Sequence, residues 1–193
     1  MTHRPAPLRT ALGDQLRRFI QAHQGVAALE FALILPLMVL IFLGMTEITV
    51  FVNTNRKLAL VTRTLADLTG RDSVMDATEI GKIFAAAGAV MQPYSSSALG
   101  AKITSVVVTT SGSTTTGKSE WSCTTGTGLT ASPNGTTYPV PDSFKSAPSF
   151  ILVETKLPYT LVFFGSQMNM GETVPWPVRN GSKVSWNSST SSC

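Results

Sequence analysis

The sequence predicts an α+β fold: a long N-terminal transmembrane and amphipathic α-helix, a second helix, and a small antiparallel β-sheet domain. Three observations lead there. Val26–Val52 is predominantly apolar, and no charge falls between Phe31 and Thr46. As a helix that run spans about 40 Å at 1.5 Å per residue, ample for the roughly 30 Å of hydrocarbon in a bilayer. Leu58, Val61, Leu65 and Leu68 follow at spacings of 3, 4 and 3, the stripe of an amphipathic helix. From Lys102 onward, Val- and Thr-rich runs alternate with Ser, Gly and Pro clusters, as strands alternate with turns. A chain of 193 residues has room for one membrane helix and one modest outer domain.

The expected divisions are a basic leader over 1–25, a membrane helix over 26–52, an amphipathic helical region over 53–92 and a β-rich domain over 93–193. Residues 1–16 hold Pro5, Pro7 and Gly13 without periodicity and read as disordered. The leader carries Arg4, Arg9, Arg17 and Arg18 against Asp14, so +3 of the total +4 charge resides there. The remainder is nearly neutral, which removes the basic face that a nucleic-acid-binding domain needs. Arg17 and Arg18 suit either a membrane-surface anchor or recognition by a leader peptidase, and the two roles are compatible.

Within the apolar run Glu30 is the odd residue. A carboxylate at mid-bilayer costs about 2.5–3.5 kcal/mol, so an acid there is a functional candidate unless it lies at headgroup level. A cut after Gly25 would place a new amine on Val26, with Glu30 four residues on and on the same helix face. Glu30 of a neighbouring subunit could then neutralise that amine in an apolar assembly, where either charge alone would be costly. Pro36 removes the bond to the Ala32 carbonyl and is expected to kink the helix. Gly44 lacks a small partner four residues away on either side, so no G-x-x-x-G motif exists. Glu47 stands near the far interface, either solvated or in a subunit contact.

The amphipathic helix is expected to run to about Thr69 and to stop at Gly70. Its stripe should pack on the chain's own β domain rather than on a partner. Ser73 followed by Asp76 reads as a capping box opening a second helix, with Ile80, Ile83, Phe84, Ala87 and Met91 inward and Pro93 ending it. Ile103–Thr110 is a strand, Ser111–Gly117 a turn or loop, and Glu120–Cys123 the start of a second strand. Thr124–Pro148 reads as a long excursion. Ser149–Lys156 and Tyr159–Phe164 read as strands about Pro158, which argues for an edge or a bulge. Gly165–Pro177 reads as loop with Met168, Met170 and Trp176 in an exposed apolar patch, and Lys183–Trp186 as a last short strand.

Chemistry is scarce. No G-x-S-x-G, H-E-x-x-H, P-loop or C-x-x-C motif occurs, and His3 and His23 both lie in the leader. Asp142, Glu154 and Glu172 are scattered acids suited to a solvated surface. No catalytic residue, metal site or cofactor is expected, and the chain does not read as an enzyme. Cys123 and Cys193 both follow the apolar run; they either bridge, in an oxidising compartment, or stay as two thiols.

Over residues 17–48 the sequence resembles type IV pilin-like proteins, and more closely the TadE/TadF-like minor pseudopilins of tight-adherence (Tad/Flp) pili. The residues that carry the resemblance are Ala27-Ala28-Leu29-Glu30-Phe31-Ala32-Leu33-Ile34-Leu35-Pro36 and Leu43-Gly44-Met45-Thr46-Glu47-Ile48, after a basic leader ending in Gly25. Val26 departs from the Phe usual at the first mature position of ordinary type IV pilins. The resemblance implies removal of 1–25 by a TadV-like prepilin peptidase and an assembly role for Glu30, Pro36 and Glu47. It implies as partners a TadE/TadF counterpart, the major Flp pilin and the inner-membrane assembly platform. The cleavage motif and the cysteines together place the leader in the cytoplasm and the β domain in the periplasm, on a single-pass inner-membrane protein that enters or primes the pilus. The alternative is an uncleaved, signal-anchored envelope protein whose outer domain binds a partner or acts as a scaffold.

Overall fold

The computed structural model describes residues 24–163, 165–187 and 193. The expectations for 1–23, including the leader arginines Arg17 and Arg18, lie outside them. The chain divides into two compact units, one ending at Ile48 and the other spanning Thr49–Cys193.

Helix α1 is continuous over Gln24–Arg71 and passes through Pro36. Over 26–42 every side chain is exposed, Leu29, Leu33, Leu40 and Phe42 among them, while Leu43 is half-buried and Glu47 buried. A helix apolar on every side belongs in a membrane or inside an assembly. From Thr49 on its character changes, and Leu58, Val61 and Leu65 are wholly buried. The helix does not stop at Gly70. A side chain there would stand 2.8 Å from the Pro177 carbonyl oxygen, so this glycine serves close approach rather than termination. The Gly70 carbonyl is instead capped by the Arg179 amide at 2.7 Å.

A two-residue strand β1, Val74–Met75, leads to helix α2, Ala77–Met91. The cap is one turn later than the sequence pattern suggests: Asp76 is the N-cap, its side chain accepting the Glu79 amide at 2.8 Å. Asp76 and Glu79 have the spacing of a capping box, and Ser73 instead gives its carbonyl to the Ser185 amide. Ile80, Ile83, Ala87 and Met91 turn inward as their spacing requires.

Strands β2 (Gly100–Ser111), β3 (Thr114–Thr125), β4 (Thr137–Tyr138), β5 (Ser149–Thr160) and β6 (Gln167–Pro177) form an antiparallel sheet in the order β4-β3-β2-β5-β6. Strand β7, Ser185–Trp186, pairs in parallel with β1 in a separate two-stranded ribbon. Strand limits depart from the sequence reading: β4 lies inside the expected 124–148 excursion, β7 starts at Ser185 rather than Lys183, and larger differences fall elsewhere. Ser111–Gly117 is mostly strand, reduced to a two-residue turn with Gly112 at φ +61°, the sign such hairpins need. The stretch around Pro158 is one strand, because β2 pairs with β5 only as far as Lys156 and leaves that flank open, where a missing N–H costs nothing. That strand ends at Thr160, so Leu161–Phe163 belong to a turn. Gln167–Pro177 is an edge strand, not a loop, held by β5 from Phe150↔Pro177 to Thr160↔Gln167.

Each sheet face is covered. On one, Ala101, Ile103, Trp121, Cys123, Ile151, Val153 and Leu157 meet the inward residues of α2 and the 58–66 stripe of α1. Met170, opposite Leu157, joins this core at 5% exposure, so it is no part of an exposed patch. On the other face Val106 and Phe150 are wholly buried. The 126–148 excursion supplies Phe144, whose ring centroid lies 5.2 Å from that of Phe150. Gly117 allows this excursion to close in, its Cα facing Val106 and Val140 with no room for a methyl group.

Candidate functional site

The candidate site is the surface of α1 in the first unit. Among the described residues α1 is the one helix long and apolar enough to cross a membrane. Val26 is 54% exposed and Glu30 is exposed one turn later. The pair therefore stands on an open helix face, four residues apart, with apolar neighbours on either side. Thr46 gives its hydroxyl to the Leu43 carbonyl at 2.8 Å, which keeps a polar side chain tolerable inside an apolar helix. Glu47 is only 4% exposed, so it is not the solvated residue that one reading of its position expects.

The folded unit holds few charges that face inward. Lys102 of β2 lies opposite Glu154 of β5 in register and forms an ion pair with it, both side chains mostly covered. Burial pulls the Lys102 ammonium down, but the Glu154 carboxylate and the Tyr138 hydroxyl outweigh it and raise its pKa above the ordinary lysine value. Asp67 accepts from both Arg71 and, at 2.7 Å, Arg179, which ties the end of α1 to the segment after β6. These pairs are structural. No group of three or more His, Cys, Asp or Glu able to hold a metal occurs among the described residues.

Cys123 and Cys193 form a disulfide that closes a 70-residue separation. Its Cα atoms are 5.1 Å apart, and it joins the exposed Cys193 to Cys123, which is buried in β3. The sequence pattern does not reveal two further features. One is the hydroxyl pair between Thr62 of α1 and Thr155 of β5, 2.6 Å apart and buried. The other is a groove of about 310 Å³ lined by Asn53, Arg56, Lys57, Leu60, Pro93 and Tyr94. The first has no local signal; the second has one, the adjacent cations just beyond the apolar run.

Residues 25–67 match the family model described as TadE-like protein. No curated protein and no solved structure matches the chain. The matched segment opens at Gly25, takes in the whole exposed apolar helix, and ends within the buried stripe of the second unit. The family is a structural rather than a catalytic one. Over residues 25–67, which hold Glu30, Pro36 and Glu47, this chain is similar to the TadE-like family, and its one long apolar N-terminal helix is consistent with a single-pass membrane protein.

Proposed function

We propose that the protein is a minor pilin-like subunit, cut between Gly25 and Val26 by a TadV-like prepilin peptidase and required for assembly of a Tad/Flp-type adhesive pilus. Before assembly it spans the bacterial inner membrane once, with 1–25 in the cytoplasm and the β domain in the periplasm. In the assembly, Glu30 of one subunit neutralises the Val26 amine of the next, a pairing that an apolar surround makes strongly preferred over either charge alone. Its partners are a TadE/TadF counterpart, the major Flp pilin and the inner-membrane platform. Arg17 and Arg18 present the leader to the peptidase, and Pro36 and Glu47 shape the helix contact.

One observation carries this reading: the helix stretch 26–42, exposed throughout and otherwise uncharged, bears one open acid four residues from the first residue after Gly25. A helix that merely anchored a domain would gain nothing from that acid. The test is mass spectrometry of membrane-extracted protein together with pilus counts in a Glu30→Ala strain. The expected result is an N-terminus at Val26, with Glu30→Ala inserted normally but bald. Retention of residues 1–25 in cells with active peptidase, or normal piliation by the variant, overturns the proposal.

A further inference from the structure

We propose that the tip of the β5–β6 hairpin is a second membrane contact, dipping Val162 and Phe163 into the leaflet from which α1 emerges. The proposal rests on the reading of 26–52 as a membrane span and adds to it a site on the folded unit.

The direction of β5 sets the position of the tip. Thr155 meets Thr62 of α1 through their hydroxyls at 2.6 Å, and Tyr159 meets Phe51 edge-to-face with centroids 5.6 Å apart. Four strand residues cover about 13 Å and eleven helix residues about 16 Å, so strand and helix run side by side in opposite senses. Strand β5 therefore heads for the end of the second unit at which α1 enters, near Thr49. Past Thr160 the chain turns, with the Gly165 amide donating to the Leu161 carbonyl at 2.9 Å. The turn presents Val162 at 76% exposure and Phe163 at 52%, and Met168, in register with Tyr159, is 46% exposed. The opposite end of the sheet differs: the β2–β3 turn there is Ser111-Gly112-Ser113-Thr114, wholly polar.

Moving away from the apolar end, the side chains follow the order of a leaflet. Val162 and Phe163 come first, then the rings of Tyr159 and Phe51, then the groove holding Arg56, Lys57 and Tyr94. Arg56 lies five residues beyond Phe51, about 8 Å along the helix, the depth that separates the acyl boundary from phosphates. The groove lining contains no acid, so its charge complements anionic headgroups. Apolar tip, aromatic ring and cation in that order form an interfacial anchor.

The test uses the full-length protein with its disulfide intact in phosphatidylethanolamine/phosphatidylglycerol vesicles. A nitroxide is attached to Val162→Cys, with Leu40→Cys as reporter of the span and Ser113→Cys as reporter of the distal turn. Power-saturation spectroscopy compares access to oxygen with access to a water-soluble nickel chelate. The expected oxygen-to-nickel ratio at position 162 is severalfold above that at 113 and of the same sense as at 40. A label at 162 that matches 113 while 40 remains in lipid overturns the hairpin contact and leaves the span intact. An aqueous label at 40 overturns the span and the hairpin contact with it. Spin–spin broadening at 162 that disappears on dilution with unlabelled protein, without oxygen preference, assigns the tip to a second copy and also overturns the proposal.

Discussion

The glycines of the two helices illustrate how little a residue's identity says without its surroundings. A methyl group at Gly70 would stand 2.8 Å from the Pro177 oxygen, whereas one at Gly81 would meet nothing within 4 Å. Gly70→Ala is expected to destabilise by about 1–3 kcal/mol, as overpacking does. Gly81→Ala should stabilise by about 0.5–1 kcal/mol, because alanine loses less backbone entropy in a helix. Denaturant unfolding of the detergent-solubilised variants checks both signs. Lys102 is a second case. Its raised pKa means the folded state holds the proton more tightly than the unfolded chain does. The stabilisation is complete below the ordinary lysine value of 10.5 and is lost as pH climbs past it through the folded value. Lys102→Met should lack that alkaline decline when unfolding is followed against pH.

At the scale of the element, α2 and β3 show local order being adjusted by neighbours. Asp76 caps α2 by accepting the Glu79 amide, which satisfies one of the free donors of the first turn. Asp76→Ala is expected to cost about 1 kcal/mol, measured as a shift of the denaturation midpoint. The register of β3 against β2 shifts between Ser105↔Trp121 and Val106↔Ser119, leaving Glu120 as the extra residue of a bulge. The bulge frees Glu120 to meet Lys183 at 2.5 Å, two residues before β7. It also accompanies Trp121, whose indole N–H donates to the Val184 carbonyl at 2.7 Å. The ribbon of β1 and β7 is thereby held over one end of the core.

For the whole molecule, the Cys123–Cys193 bridge ties the tail to β3. On the loop-entropy account, closing a loop of this length stabilises by about 4 kcal/mol as an upper figure. Replacing both cysteines by serine should lower unfolding stability by about 2–4 kcal/mol. The same loss should appear on reduction of the native protein, with no further effect of reductant on the double variant. Because the bridged residues both follow α1 in sequence, oxidation also reports the compartment: the oxidised form is expected in cells that export the domain. Thiol alkylation before and after reduction reads this directly.

What the sequence determined by itself is what short-range chemistry encodes. The unbroken apolar run sets the helix and its exposed surface. The 58–65 spacing sets the face that is buried, and β-branched residues at 103–110 set a strand. The TadE-like signature around Glu30 was legible for the same reason, since an acid in an apolar helix stands out without reference to anything else. Tertiary structure alone decided the rest. Gln167–Pro177 contains Gly171, Pro175 and Pro177 and has no strand pattern of its own; it is a strand because β5 supplies its hydrogen bonds along one edge. Met170 is buried because Leu157 lies opposite it, and a glycine stands at position 70 inside the helix because Pro177 passes close by. Val162 and Phe163 look like strand core in one dimension and become an exposed tip once β5 ends at Thr160. In each case the deciding partner is remote in sequence, and periodicity records only a segment's own alternation, never the neighbour that will cover it.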